Sequence, residues 1–137
     1  MEWYKADRKG MESFMGVSLE DSEACMSAFN RIFDGVIAFQ ARFWVMDLDE
    51  EPMGFFLATD FIPAQRSARV HIYVGPEQRR YSLKVAEALE EGVIPQLREW
   101  GVRTLMATQP SDHKAAYGLA KRMGFARIPT VLMQKEI

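Results

Sequence analysis

Between residues 68 and 108 the hydrophobic period of the chain changes twice, and this constrains the fold more than any other feature. In 68–74, Val70, Ile72 and Val74 alternate with Arg69, His71 and Tyr73. That period of two marks a strand with one buried face. From 79 to 100, Leu83, Ala86, Leu89, Val93, Ile94 and Leu97 recur at helical spacings and define one apolar face. Gly101 then stops the helix, and 102–108 returns to strand composition. A strand, a long helix and a second strand form a crossover, which requires parallel neighbours and a right-handed connection. Pro95 lies inside the helical stretch and predicts a kink, because proline lacks an N–H and clashes one turn back. Gly92 weakens the same place.

The segments upstream are joined differently. Residues 41–48 and 53–62 are rich in strand formers, and polar turns at 49–52 and 63–67 separate them from each other and from 68–74. Such turns are too short for crossovers, so the three runs form an antiparallel meander. Before them, 2–7 reads as a first strand, 7–10 as a turn and 11–16 as a short helical turn. Ser18 and Asp21 suggest a capped helix start. Ala24, Cys25, Ala28, Phe29 and Ile32 then give a helix face over 21–32. Downstream, 112–123 reads as a helix closed by Gly124, and 125–137 as one or two final strands around Pro129. The expected fold class is α/β (α+β): a central mixed sheet flanked by helices, in one domain over 1–137.

Composition narrows the function. The 137 residues are 48% hydrophobic and 26% charged, with a net charge of −2. That balance describes a globular core and argues against a nucleic-acid partner, which usually demands a basic excess. No apolar run is long enough to span a membrane, and 1–7 has no signal-peptide pattern. Cys25 is the single cysteine, so no internal disulfide forms and cytoplasmic synthesis is expected. It reads as a small packed side chain rather than a nucleophile. His71 and His113 are too far apart in sequence for metal-ligand spacing.

Three stretches carry a family likeness: Tyr73-Val74-Gly75-Pro76-Glu77-Gln78-Arg79, Arg122-Met123-Gly124-Phe125, and the tail from Val131 to Ile137. In this order and at this spacing the chain resembles the GNAT superfamily of N-acetyltransferases. The resemblance implies an acetyl-CoA pyrophosphate loop and maps it onto Arg79, Arg80, Tyr81, Ser82 and Lys84. It also implies that backbone groups of Val74 and Gly75 polarise the thioester carbonyl.

Against that pattern, Ser82 and Lys84 replace small residues that would let the backbone approach a phosphate. The late-helix tyrosine that often protonates the departing thiolate is Ala120, and the frequent asparagine is His113. Tyr117, one turn before Ala120, is the candidate acid. The strand before the loop offers His71 as base and no carboxylate. Two expectations follow. In the first, the domain has lost the chemistry and serves as a structural or binding module, for example in a phage virion, through a protein partner or self-association and without a cofactor. In the second, it is an active N-acetyltransferase moving acetyl from acetyl-CoA to an amine through His71 and Tyr117.

Overall fold

A computed structural model describes residues 7–108, 114–128 and 133–137. Helix α1 (Arg8–Met15) and helix α2 (Ser22–Ile37) precede the sheet strands β1 (Arg42–Leu48), β2 (Glu51–Ile62) and β3 (Ser67–Val74). A 3-10 helix (Pro76–Tyr81) leads into helix α3 (Ser82–Ala88), a π turn (Leu89–Val93) and helix α4 (Ile94–Trp100). Strand β4 (Thr104–Met106) and helix α5 (Lys114–Arg122) follow.

The sheet order is β1-β2-β3-β4. β1–β2 and β2–β3 are antiparallel and β3–β4 is parallel, as the meander and the crossover predict. The β1–β2 turn is tighter than expected. Asp49 and Glu50 both take positive φ, so two residues suffice, a geometry that matches the twist of a hairpin. Glu51 and Pro52 therefore belong to β2, and Pro52 sits where the register shifts, the place a strand tolerates proline.

The long helix is not kinked in the expected way. The backbone widens into the π turn at Leu89–Val93, and Pro95 falls in the first turn of α4, where no intrahelical N–H is needed. This also corrects the apolar face. Val85, Leu89, Val93 and Leu97 are all buried at a spacing of four, longer than the 3.6 of an α-helix. The π turn keeps them in line. Leu83 falls off that line and is 57% exposed. Gly101 ends α4 at φ 105°, a left-handed conformation open to glycine.

Other boundaries move as well. Asp7 caps α1, so 7–10 is the start of a helix rather than a turn. Asp21, not Ser18, caps α2, its carboxylate accepting from the Ala24 N–H at 2.9 Å. Helix α2 runs to Ile37, and Phe29 lies on its exposed flank. The expected final strands centre on 129–132, outside the described residues; 125–128 and 133–137 are not in strands. The expected strand at 2–7 falls largely outside the described residues. The main core lies between the sheet and the long helix: Met46, Phe56, Ala58 and Val70 meet Val85, Leu89, Val93 and Leu97.

Candidate functional site

Strands β3 and β4 pair only where Ser67, Ala68 and Arg69 meet Thr104, Leu105 and Met106. Backbone N–H groups of Arg103 and Thr104 donate to the Arg66 carbonyl at 2.7 and 3.1 Å and pin that end. β3 continues through Val74, while β4 stops at Met106. The β4-facing edge of β3 from Val70 onward is thus left without a ladder partner among the described residues.

Backbone direction along this edge follows from the ladder. The Gly75 N–H donates to the Met53 carbonyl at 2.9 Å, so it is engaged within the sheet. Hydrogen-bonded residues alternate along an antiparallel pair, so Val74, opposite Gly54, turns its N–H and C=O away from β2. The strands press together here. A Cβ on Gly54 would lie 2.1 Å from the Tyr73 carbonyl oxygen and 3.0 Å from Val74 Cα, so only glycine fits.

Below this edge sits a carboxylate that the sequence did not single out. Asp7 accepts a hydrogen bond from the Tyr73 hydroxyl at 2.7 Å, one from Arg79 Nη2, and one from the Gly10 N–H at 3.3 Å. Arg79 Nε donates to the Val74 carbonyl at 3.1 Å. Asp7 therefore caps α1, closes an ion pair and holds the end of β3 at once. Burial works to raise its carboxyl pKa, but the Tyr73 hydroxyl, the Arg79 charge and the Gly10 N–H together hold it below the usual value. Burial and the Asp7 hydrogen bond push the Tyr73 phenol well above its ordinary range. The capping position of Asp7 is a local signal. Its meeting with Tyr73 and Arg79 is set by tertiary packing.

The remaining expected site residues divide. His71 is half-buried on the same face of the sheet, with the Thr59 hydroxyl 3.5 Å from Nε2 and the Phe14 ring edge-on at 6.4 Å. Burial, and then Arg69, lower its pKa, with Asp60 acting in the opposite sense, so the imidazole is neutral at pH 7. Arg80 and Lys84 both lie over the Tyr81 ring, at 4.9 and 5.7 Å from its centroid. Ser82 opens α3, whose N-cap Tyr81 supplies no side-chain hydrogen bond. The Tyr117 backbone lies in α5, while its side chain and His113 fall outside the described residues. Ala120 is half-buried in α5. Among the described residues no cluster of His, Cys, Asp and Glu could hold a metal ion, and no helix is long and apolar enough to cross a membrane.

Arg79, the first arginine of the loop, is held by Asp7, and Ser82 and Lys84 carry side chains in the first turn of α3.

Residues 3–125 match the family model described as the acetyltransferase (GNAT) family. No curated protein matches the chain in sequence. Among solved structures, RimL, the ribosomal L7/L12 alpha-N-protein acetyltransferase, superposes with a TM-score of 0.70 at 11% identity, over 88% of this chain and 66% of RimL. A predicted acetyltransferase from Clostridium acetobutylicum, solved with acetyl-CoA, gives 0.68 at 12% identity, over 93% and 84% of the two chains. AAC(6')-Iy, in complex with the bisubstrate analogue CoA-S-monomethyl-acetylneamine, gives 0.62 at 14% identity, over 99% and 92%. The chain thus spans just under two thirds of RimL, and at these identities the likeness concerns the fold.

Proposed function

The chain belongs to the GNAT acetyltransferase family, and from that premise we propose that it keeps the fold as a binding or structural module and engages acetyl-CoA weakly or not at all. One observation carries this reading: Arg79 is committed to Asp7 and to the Val74 carbonyl. To reach a pyrophosphate, the guanidinium would have to leave a largely buried carboxylate, and a charge stripped of its partner there is costly. Ser82 and Lys84 on the loop, and Ala120 in place of a proton donor, act in the same direction. In this reading the protein works in the cytoplasm, or in a particle assembled there such as a phage virion, through protein contacts.

Thermal unfolding with acetyl-CoA tests it. A ligand at a hundredfold excess over its Kd stabilises the folded state by about 2.7 kcal/mol, which for a domain of this size means a shift of roughly several degrees. Millimolar acetyl-CoA is expected to leave the melting temperature unchanged. The double variant Ser82→Gly, Lys84→Gly should recover part of a shift if loop side chains obstruct the phosphates. A shift of several degrees for the unmodified protein refutes the reading.

A second reading, an active N-acetyltransferase acting on an amine, is favoured by the Val74 N–H. It points out of the edge of β3 that has no ladder partner among the described residues, where a thioester oxygen could accept it. His71, neutral at pH 7, would then take the proton of the attacking amine, and Tyr117 would protonate the thiolate. Turnover with acetyl-CoA that falls on His71→Ala and Tyr117→Phe would support this reading.

A further inference from the structure

Helix α2 carries more apolar surface than the described residues cover. Its core-facing side is formed by Ala24, Cys25, Ala28 and Ile32, all buried or half-buried. A second apolar strip runs beside the first. Met26, Phe29, Phe33 and Ile37 follow at spacings of three, four and four, so they share one line along the helix. All four are exposed, Phe33 at 53% and Ile37 at 72%. The rings of Phe29 and Phe33 pack together with centroids 4.9 Å apart. Glu23, Asn30, Arg31 and Asp34 occupy the remaining side of the helix.

The strip does not end with the helix. Val36 and Phe39 line one cleft of about 230 Å³ together with Phe43 of β1. Val45, two residues on, lies on the same face of β1 and is half exposed. Arg42, at the same cleft, places its guanidinium over Trp100 at 5.0 Å, away from the strip. A largely uncharged surface thus runs from Met26 to Val45.

Its size is that of a stable interface. Eight large apolar side chains, each roughly half exposed, amount to on the order of 800 Å² if a full large side chain offers about 200 Å². Stable interfaces bury about 800 Å² per partner, whereas the largest apolar patch on a typical monomer covers about 300–600 Å². The surface also lacks the charges that steer a partner of different sequence, and low charge at the centre is characteristic of homodimer interfaces.

We propose that this face is the interface of a symmetric homodimer, in which the α2 helices of two copies pack with Phe29 and Phe33 of each against the same residues of the other. A closed twofold pairing covers the strip on both copies, so the contact does not propagate into a larger assembly. The inference is independent of whether acetyl-CoA binds.

Sedimentation of the full chain across micromolar concentrations tests it. The expected mass is twice that of one chain. The double variant Phe29→Glu, Phe33→Glu should weaken the dimer at least about a hundredfold, because each change acts twice across the axis. Its far-ultraviolet circular dichroism should stay native, since neither ring is in the core. Should that variant fail to fold, Ile37→Lys is the alternative, changing only a side chain 72% exposed. A one-chain mass throughout, a mass beyond two chains, or a dimer that these substitutions leave intact would each overturn the proposal.

Discussion

The two faces of the sheet are built on different principles. The face under the long helix is apolar and sealed: Phe56, Val85 and Leu89 have no exposed surface, and volume does the work. The face under α1 is aromatic and tied by polar contacts. Phe14 touches Phe55, His71 and Tyr73 there, and beside them Asp7 joins α1 to the end of β3 and to Arg79. The first face resists compression and cavities. The second depends on a few groups keeping their charge and geometry.

The largest expected effect lies on the first face. Leu89→Ala should cost roughly 2–5 kcal/mol in urea unfolding, because a rigid neighbourhood cannot collapse into the space left behind. A cost below about 0.5 kcal/mol would place Leu89 among surface sites and erase the contrast between the faces.

Gly54→Ala is expected to come second. The added methyl meets the backbone of β3, so the end of that strand must move, at about 1–3 kcal/mol in the same assay. Retention of full stability would show that the strands separate freely at Val74.

Asp7→Ala should cost about 1–2 kcal/mol through the loss of the helix cap, and it leaves Tyr73 and Arg79 without their shared acceptor. Acid should have a related effect on the unmodified protein. The Asp7 pKa is depressed in the folded state, so its contribution is present above the ordinary value of 3.8 and disappears as pH falls through the folded value.

The smallest effect belongs to His71. Its folded pKa also lies below the ordinary 6.5, so near and below that pH the unfolded chain binds the extra proton. Melting temperature should therefore decline modestly as pH drops below about 6.5, and His71→Gln should flatten that decline. An unchanged slope in the variant would remove His71 from the polar ties of the second face.

The same division explains what the sequence made legible. Periodicity reports which side of an element is apolar, so the meander, the crossover and the parallel β3–β4 pair could all be read from it. It failed at Leu83 and Phe29. A π turn shifts the phase of the first helix, and the second has an apolar arc wider than the described residues cover. The site was less legible because its organising contact is non-local. Arg79 reads as a phosphate ligand from its neighbours in sequence, and nothing local reveals that Asp7, 72 residues earlier, holds it.

That separation has a consequence for the order in which the molecule comes apart. The link between Asp7 and Arg79 closes a loop of about half the chain, whereas each hairpin of the meander closes over a few residues. Contacts of such span form after local pairing and open before the core does. In native-state hydrogen exchange the amides of α1 should therefore exchange well before those of β2, through an opening that lifts one helix while the sheet stays folded. Each such opening bares Tyr73 and His71 to solvent, so the aromatic face is transiently accessible in a protein that is otherwise native.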